Sequence, residues 1–398
     1  MSVQLPDNYF KRDLKIDLPI GQSAFLWGAR KTGKSTFLEH QFPDAVFFDL
    51  LQNDLYWELL KNPEYFREKI LALIPKDPKQ ARPLIIVDEI QKVPPLLDEV
   101  HHLIEKHHCQ FILCGSSARK LKQQGANLLG GRAWKYNFFP LTSQELPELD
   151  LLKIFNCGTI PQHWLSIQPL KHLRAYIEDY LAHEIQAEGL VRNLPIFARF
   201  LDSLRFSNGE LIQYQNIARD CHIDSKTVKA YFEILVDTLL GYFLPPFQKK
   251  VRRDIISATP KFYLFDVGVS TFLKKFNFLD LKGPEAGQAL EHFVFLELIA
   301  YKHYSDKFFE IHFWRTSQGL EVDFILAEGL VALEVKINRQ VHFNELKGLI
   351  AFQEEHKPRT SILVCLEKAP RLVETEYGEV LIEPLASFLK RLWAGEII

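Results

Sequence analysis

Short hydrophobic runs alternate with amphipathic stretches along the first part of the chain, and this pattern predicts its architecture. The runs that predict β-strands are Ala24–Trp27, Ala45–Leu50, Leu84–Val87, Gln110–Leu113 and Trp134–Phe139. Strands that alternate with helices are typical of a mainly parallel sheet covered by helices on both faces. Residues 1–150 are therefore predicted to form one α/β domain.

The pattern becomes helical after residue 150. Between Leu170 and Phe206 apolar residues recur at helical spacing, which predicts a helical connector over residues 151–205. The series comprises Leu173, Tyr176, Ile177, Tyr180, Leu181 and Ile185. Two further helical segments, Glu210–Asp220 and Ser225–Leu240, are separated by a short turn and resemble a helix-turn-helix. Residues 206–258 are therefore predicted to be a winged-helix-like domain.

The second of these helices has an apolar stripe and an open polar face. The predicted stripe comprises Val228, Tyr231, Phe232, Leu235 and Leu239. Ser225 is a suitable N-cap, and Lys226, Thr227 and Lys229 lie near the N-terminus, where a recognition helix meets a DNA groove.

Four cations follow where a winged helix carries its wing. They are Lys249, Lys250, Arg252 and Arg253. Together with the three polar residues of the helix, they are the predicted DNA contacts. The alternative is a structural winged helix that packs between domains and touches no DNA.

A β-hairpin is predicted near residue 330, with Glu328-Gly329 as a two-residue turn. In that register Asp323 lies opposite Glu334, and Glu321 opposite Lys336. Because residues two apart in a strand share a face, these four side chains project together. The apolar neighbours Val322, Phe324, Leu333 and Val335 are predicted to take the other face.

The facing carboxylates of Asp323 and Glu334 predict a metal site. Two carboxylates at cross-strand distance repel each other unless a positive group lies between them. Mg²⁺ or Mn²⁺ fits this role, because hard cations prefer carboxylate oxygens. Lys336 would then orient a water molecule or stabilise the charge that develops on a phosphate.

Composition narrows the class of protein. A chain of 398 residues is too long for one core, and 47% of it is hydrophobic. With a net charge of −2, any nucleic-acid contact must come from local patches. Five scattered cysteines predict free thiols in a reducing cytoplasm. No apolar run reaches membrane-spanning length and the N-terminus does not read as a signal peptide, so no membrane partner is expected.

The sequence from Gly28 to Thr36 carries the strongest chemical signal. It reads G-x-x-x-x-G-K-[ST], preceded by a predicted strand and followed by a predicted helix. The predicted nucleotide-binding residues are Gly28, Ala29, Arg30, Lys31, Thr32, Gly33, Lys34, Ser35 and Thr36. Glycines let the backbone curl around a polyphosphate, the lysine reaches the β- and γ-phosphates, and the Ser35 hydroxyl is placed to ligate Mg²⁺. A P-loop that binds ATP is predicted.

Further residues complete the predicted nucleotide site. The run Leu84–Val87 delivers Asp88, which in P-loop enzymes holds the Mg²⁺ shell, and Glu89, which polarises the attacking water. Ser116 or Ser117, at the end of the next strand, is placed to sense the γ-phosphate. Arg119 and Arg132 are candidates to stabilise the transferring phosphate, in cis or from a neighbouring subunit of a homo-oligomer; the alternative is a structural role.

Two resemblances follow from these motifs. The P-loop, the strand ends Val87–Gln91 and Cys114–Ser117, and the later segments Gly131-Arg132 and Pro140–Glu145 resemble the AAA-type ATPase domain of a widespread bacterial and archaeal family. Members of that family carry a C-terminal domain of unknown function. The hairpin pattern Asp…Glu-x-Lys resembles the core of restriction-endonuclease-like, PD-(D/E)xK, nucleases, although the proline is missing here.

The nuclease resemblance implies roles for four residues. Asp323, Glu334 and Lys336 would be catalytic, and Glu291, on a predicted helix upstream, matches an acid that often joins the metal site. Three interpretations stay open: an active metal-dependent nuclease, a nuclease-like fold used only for binding, and a purely structural hairpin.

The predicted fold class is a multidomain α/β protein. A P-loop ATPase is followed by a helical and winged-helix middle and by a restriction-endonuclease-like α/β domain over residues 259–398. The predicted function couples ATP binding and hydrolysis to DNA binding or metal-dependent DNA cleavage, with ATP, Mg²⁺ and, at the C-terminal site, Mn²⁺ as cofactors. The alternative is an ATP-dependent switch or scaffold whose C-terminal modules bind a partner without catalysis.

Overall fold

The computed structural model describes residues 9–75, 82–119, 121, 129–181, 193–249, 253–255 and 259–398. The chain divides into two compact units. The first comprises Met1–Pro140 and Ile234–Leu240, and the second comprises Leu141–Glu233 and Gly241–Ile398. The predicted Ile185, Lys250 and Arg252 lie outside the described residues.

The first unit is built on a five-stranded sheet in which all strands are parallel. Its strands are β1 (Ser23–Trp27), β2 (Val46–Asp49), β3 (Leu84–Asp88), β4 (Gln110–Gly115) and β5 (Ala133–Asn137). Each of the five predicted runs overlaps one of them. The spatial order is β2-β3-β4-β1-β5. Every residue of β1 is buried, as expected for a strand covered on both faces.

Four helices accompany this sheet among the described residues. They are α1 (Lys34–Gln41), α2 (Asn53–Lys61), α3 (Glu64–Leu73) and α4 (Leu96–His107). The amphipathic α4 buries Leu97, Val100 and Ile104 in the same hydrophobic core as Phe25 and Phe111. The parallel-sheet α/β prediction for this part of the chain is confirmed.

The second unit begins with short helices rather than one continuous connector. They are α5 (Leu151–Cys157), α6 (Pro161–Leu165), α7 (Pro169–Ala175), a π-helical turn (Tyr176–Leu181) and α8 (Leu194–Ser203). Proline occupies the first turn of α6, α7 and α8, where its missing N–H costs no hydrogen bond. A proline at such a position marks a new helix start, which is why the series is divided.

Two helices and a small sheet follow. Helix α9 (Tyr214–Cys221) is joined by a short turn to α10 (Ser225–Asp237). Asp224, not the predicted Ser225, caps α10, because its carboxylate accepts from the backbone N–H groups of Lys226 and Thr227. Strands β6 (Gly241–Leu244) and β7 (Lys261–Leu264) pair antiparallel, across the predicted domain division at residue 258.

A six-stranded mixed sheet forms the body of the second unit, in the order β12-β13-β11-β10-β9-β8. Its strands are β8 (Ile311–Arg315), β9 (Glu321–Leu326), β10 (Val331–Val335), β11 (Thr360–Cys365), β12 (Arg371–Thr375) and β13 (Gly378–Pro384). The remaining helices are α11 (Val267–Leu273), α12 (Gly283–Tyr304), α13 (Lys347–His356) and α14 (Leu385–Trp393). Within the described ranges, no helix combines the length and the apolar character needed to cross a membrane.

The β9–β10 hairpin has the predicted register. Leu326 pairs with Val331, and Phe324 pairs with Leu333. Glu328 and Gly329 have positive φ angles of 58° and 99°, and the Leu330 N–H donates to the Ala327 carbonyl at 3.1 Å. This is the geometry of the two-residue hairpin turn whose twist matches that of the strands.

A β-bulge in β9 changes which side chains share a face. His312 of β8 pairs with Ile325 and Trp314 pairs with Val322, so β9 has one extra residue between these two pairs. Val322 consequently joins Ile325 in the core cluster that contains α13, whereas Phe324 stacks on Phe295 of α12. The prediction that Val322 and Phe324 share a face is therefore wrong, since a bulge reverses the alternation.

Candidate functional site

The P-loop has the backbone geometry that its sequence predicts. Lys31 and Gly33 have φ angles of 63° and 94°, which turn successive N–H groups toward one centre. Gly28 lies so close to β5 that a Cβ atom there would be 2.4 Å from the Phe138 carbonyl oxygen. Only glycine fits at this position.

The P-loop lysine is held over the loop. Lys34 is 6% exposed, and its Nζ donates to the carbonyl oxygens of Gly28 and Ala29 at 2.7 and 3.0 Å. The Thr32 hydroxyl donates to the same Ala29 carbonyl at 2.7 Å. The ammonium group therefore already stands where the loop would receive phosphate.

The fold brings Ser35 to Asp88, which is 53 positions away in sequence. The Ser35 hydroxyl donates to Asp88 Oδ2 at 2.5 Å. Ser35 lies in the first turn of α1 and Asp88 ends β3, and both are therefore at the carboxyl edge of the parallel sheet. A hydroxyl and a carboxylate are hard oxygen donors of the kind that Mg²⁺ prefers.

Glu89 belongs to a buried polar group at the same edge. Its Oε2 accepts from Gln91 Nε2 at 2.5 Å and lies 3.7 Å from the Arg30 guanidinium. Gln91 Nε2 also donates to the Ser116 hydroxyl at 3.1 Å. Glu89 has a φ angle of 57°, an uncommon value for a residue other than glycine. Strained backbone of this kind is often found at functional sites.

Gln91 and Arg12 are contributors that sequence reasoning did not assign to the site. Gln91 links Glu89 to Ser116, and its place two residues after the predicted acid was the available signal. Arg12 is buried, donates to the Thr32 carbonyl at 2.8 Å and lies 4.1 Å above the Phe138 ring. Nothing in the sequence around Arg12 marks it as a support of the P-loop.

The two candidate sensor serines have different surroundings. Ser116 contacts Gln91 and so faces the Glu89 group. The Ser117 hydroxyl donates to the Asp237 carbonyl at 3.2 Å and accepts from the Arg119 N–H. Of the two, Ser116 has the position that the sensor prediction requires.

Both candidate arginines are engaged in ion pairs in this structure. Arg119 binds Asp237 at the end of α10, and Arg132 binds Glu105 on α4. Arg132 also holds the pKa of the Glu105 carboxyl below its usual value, through its hydrogen bond and its charge. The structure thus favours the structural alternative for both, since each ion pair would have to open before the arginine reached a phosphate.

The carboxylates of Asp323 and Glu334 lie just beyond the last paired residues of the β9–β10 hairpin. Pairing of β9 with β10 stops at Phe324 and Leu333, one step before Asp323 and Glu334. Asp323 Oδ2 instead accepts from the Val335 N–H at 2.8 Å. Both carboxylates are buried, at 6% exposure each. The adjacent bulge is the kind of feature that directs a side chain into a site.

Two lysines compensate this buried negative charge. Lys336 Nζ lies 2.5 Å from Glu334 Oε1. Lys261 of β7, only 4% exposed, lies 2.6 Å from Glu321 Oε1 and 3.2 Å from Glu291 Oε1. Burial opposes the charge on Lys261, but the neighbouring carboxylates outweigh it and hold the lysine pKa well above its usual value. Lys261 had no signal in the sequence.

The predicted three-carboxylate metal set is not formed. In the part of the chain that the structure describes, no group of three or more acids, histidines or cysteines is close enough to hold a metal ion. Glu291 is turned toward Lys261 and accepts from the Tyr263 hydroxyl at 2.5 Å. This correction leaves Asp323 and Glu334 as the carboxylate pair, and Mg²⁺ is often held by only one or two carboxylates.

The predicted DNA contacts fall into two groups. Lys226, Lys229 and Lys249 are exposed. The Thr227 hydroxyl donates to Asp224 at 2.6 Å. Arg253 binds Glu354 and Glu355 of α13, so its guanidinium is neutralised within the second unit. The prediction for Arg253 is corrected, because an arginine paired with two carboxylates offers little charge to a phosphate.

Comparison with known families decides the class of the first unit. Residues 21–147 match the family model of the AAA domain. They form an AAA-type P-loop ATPase domain. Residues 156–280 and 286–382 match two domains of unknown function, DUF8612 and DUF4143.

Three relatives are named as uncharacterized proteins. An uncharacterized protein of Mycobacterium tuberculosis and one of Mycobacterium bovis are each 25% identical over 251 residues, covering 60% of this chain and 55% of theirs. The chain thus spans about half the length of these two relatives. An uncharacterized protein of Haemophilus influenzae is 21% identical over 360 residues, covering 83% of this chain and 86% of its own.

Two solved structures are distantly similar to the chain. The ORC1 protein of Aeropyrum pernix in complex with DNA has a TM-score of 0.24 and 13% identity, covering 64% of this chain and 86% of that one. A signal transduction ATPase with numerous domains from Pyrococcus horikoshii has a TM-score of 0.19 and 12% identity, covering 72% and 45%. At these scores neither carries an argument about this chain.

An AAA-type domain implies nucleotide and Mg²⁺, and the donor set of the first unit fits both. Lys34 and the curled loop suit a polyphosphate, and Ser35 and Asp88 would hold the ion. The ion would neutralise charge on the phosphates. Glu89, held by Gln91, would orient a water molecule and accept its proton.

Replacing Asp323 by asparagine should stabilise the second unit. Burial, together with the adjacent Glu334, raises the pKa of Asp323 well above its usual value, so ionisation of the folded protein is unfavourable. A group of this kind stabilises the fold below its unfolded pKa and loses that contribution as pH rises through its folded pKa. Asparagine keeps an acceptor for the Val335 N–H but carries no charge.

We therefore expect Asp323→Asn to raise the midpoint of thermal unfolding by about 2 to 4 °C at about pH 8 in EDTA. The gain should shrink as pH falls and be lost below about pH 4, where the aspartate is neutral in both states. Glu328→Gln, an exposed change in the turn of the same hairpin, is the control and should have little effect. A variant less stable at every pH would contradict the expectation.

Proposed function

We propose that this protein hydrolyses ATP and couples its nucleotide state to DNA binding or metal-dependent DNA cleavage at the Asp323–Glu334 pair. The observation that carries the proposal for ATP is the contact of Ser35 with Asp88 beside the Glu89–Gln91–Ser116 group. Residues for phosphate, Mg²⁺ and water activation thus meet at one edge of one sheet, as nucleotide hydrolysis requires.

Support for the C-terminal activity comes from the chemistry of its side chains. Asp323 and Glu334 are buried carboxylates at the end of a ladder, and Lys336 is at hydrogen-bond distance from Glu334. A cleft of about 330 Å³ is lined by Glu291 and by Val335 and Lys336, the two residues that follow Glu334. A pair of carboxylates that holds Mg²⁺ or Mn²⁺, next to a lysine that stabilises phosphate charge, is suited to hydrolysis of a phosphodiester. In this proposal residues 259–398 have a restriction-endonuclease-like core.

A second function, binding without catalysis, is supported by the ion pairs that these charged groups form with one another. Lys336 neutralises Glu334, Lys261 neutralises Glu291 and Glu321, and Arg253 is paired. A polar cluster in which most charges are paired is also compatible with a domain that only binds a partner. In this second proposal the protein is an ATP-dependent switch or scaffold.

Incubation with labelled DNA separates the two functions. Purified protein would be mixed with duplex, single-stranded and branched DNA in Mg²⁺ or Mn²⁺, with and without ATP. Cleavage that EDTA abolishes supports the first function. If every substrate stays intact in both metals, while ATP changes the affinity for DNA or for a protein partner, the second function stands instead.

Replacing Lys34 tests the nucleotide half of the proposal. Lys34→Ala removes the charge at the β- and γ-phosphates, so we expect ATP turnover to fall by about 100-fold or more and ATP binding to weaken. Release of inorganic phosphate and binding of a fluorescent ATP analogue measure the two effects. Lys15→Ala, an exposed lysine outside the P-loop, is the control. Normal turnover in Lys34→Ala would show that the loop is not the catalytic phosphate site.

A further inference from the structure

A pocket in the second unit is lined by residues that belong to neither the proposed metal site nor the ATP site. Its volume is about 340 Å³, within the usual range of ligand pockets. Phe206 and Phe276 contribute aromatic rings, Arg205 and Lys274 contribute cations, and Gln288 contributes an amide from α12. Glu210 and Glu285 contribute carboxylates.

The aromatic rings are exposed. Phe206 is 71% exposed and Phe276 is 44% exposed, although large aromatic side chains normally contribute to a core. The Arg205 guanidinium lies 4.5 Å from the centre of the Phe206 ring, which keeps a cation beside one ring face. Arg205 Nε is buried and, within the described ranges, has no hydrogen-bond partner. An unsatisfied buried donor is costly, and a bound acceptor would satisfy it.

The polar side of the pocket is organised by hydrogen bonds. Lys274 Nζ donates to Gln288 Oε1 at 2.9 Å, and Gln288 Nε2 donates to Glu210 Oε1 at 3.2 Å. Burial lowers the pKa of Lys274, which indicates that this cation is partly removed from water. A partly desolvated lysine attracts an anionic group more strongly than an exposed one.

We propose that this pocket binds one nucleotide unit of a single-stranded DNA segment. The base would stack on Phe206 or Phe276, Arg205 and Lys274 would bind the flanking phosphates, and Glu210 would accept from an amino group of the base. Stacking on aromatic side chains beside a cationic backbone contact is the usual mode of single-strand recognition. A paired base within a duplex has both faces covered and cannot stack in this way.

A lining residue shared with the cleft beside Lys336 supports DNA rather than a free nucleotide. Gln288 lines this pocket and also the cleft that contains Glu291 and Lys336. Both lie along the N-terminal part of α12. In this arrangement a strand whose base occupies the aromatic pocket would pass its backbone along the cleft to Lys336, which contacts Glu334. This inference rests on the proposed function, and it identifies single-stranded DNA as the substrate class.

Binding of a fluorescent oligonucleotide to the full-length protein tests the inference. Fluorescence anisotropy would be measured with a mixed-sequence single strand, the matching duplex and a deoxynucleoside monophosphate as competitor. Ca²⁺ would replace Mg²⁺ to prevent cleavage. We expect the double variant Phe206→Ala/Phe276→Ala to bind the single strand about 5- to 100-fold more weakly, the range that loss of base stacking produces. Duplex binding should change little.

Two controls keep the result interpretable. Phe308→Ala removes a fully exposed phenylalanine outside the pocket, and this variant should bind the single strand normally. Phe206→Trp, with Phe276 unchanged, retains a stacking surface and should keep most of the affinity of the unchanged protein for the single strand. Binding of the strand should quench the fluorescence of the new tryptophan. Oligo(dT), which offers no amino group to Glu210, should bind more weakly than oligo(dC) or oligo(dA).

Unchanged single-strand affinity in Phe206→Ala/Phe276→Ala would overturn the inference, as would equal losses in Phe308→Ala. Competition by the monophosphate as strong as that by the strand would also overturn it, in favour of a free nucleotide. These outcomes are distinct from failure of the nuclease proposal. In that case no DNA is cleaved, yet single-strand binding still depends on the two phenylalanines.

Discussion

Glu89→Gln should lower ATP turnover by about 10²- to 10⁴-fold and leave ATP binding nearly intact. Glutamine has the shape of glutamate but cannot accept a proton from the attacking water. The Gln91 amide that now donates to the carboxylate can still donate to the amide oxygen of the variant, so the local structure should be preserved. Loss of the chemical step without loss of binding is the result that assigns the base role to this residue.

Phosphate release and equilibrium binding of an ATP analogue should be measured on the same preparation. Glu68→Gln, an exposed change on α3, is the matched control and should turn over ATP normally. The variant is expected to accumulate in its ATP-bound form. If Glu89→Gln hydrolyses ATP at the original rate, another group activates the water.

Replacing either member of the C-terminal carboxylate pair should abolish DNA cleavage, if the protein is a nuclease. Asp323→Asn and Glu334→Gln keep shape and hydrogen bonding but reduce the negative charge that would hold Mg²⁺ or Mn²⁺. We expect a loss of about 100-fold or more in the cleavage rate for each. Cleavage would be measured on the DNA that the unchanged protein cuts best, with Glu328→Gln as the matched control.

Stability and activity should change in opposite directions at Asp323. The asparagine variant is expected to be more stable without metal and inactive with it, because the charge that strains the fold is the one that would bind the ion. Addition of Mg²⁺ should raise the unfolding midpoint of the unchanged protein more than that of Asp323→Asn. Full cleavage by Asp323→Asn would remove the pair from the proposed chemistry.

Local patterns were sufficient for much of the first unit. A buried parallel strand is a continuous apolar run, and the five predicted runs each overlap one of the five strands. The P-loop is equally local, because phosphate contacts are made by consecutive backbone groups. The turn at Glu328-Gly329 and the register of its strands also followed from short-range rules.

Errors arose where a distant residue decides the local arrangement. The bulge in β9 depends on how β8 pairs with it, and no hydrophobic pattern within β9 reveals the extra residue. The sequence suggested that Arg253 is a free cation, but Glu354 and Glu355 of α13 bind it.

The error at the helix cap has a local cause. Ser225 and Asp224 are adjacent potential caps, and only the backbone at the helix start selects between them.

The sequence by itself determined that this chain has a nucleotide-binding loop, an acidic strand end and a hairpin that carries two facing carboxylates. Tertiary structure decided which other side chains complete these sites: Gln91 and Arg12 beside the P-loop, Lys261 beside the carboxylates, and the pocket between Phe206 and Phe276. The physical reason is the distance in sequence between the residues that interact. The conformation of a phosphate-binding loop or a two-residue hairpin turn depends on neighbours in sequence. Pairing with a third strand, charge compensation and pocket composition depend on residues that only folding brings together.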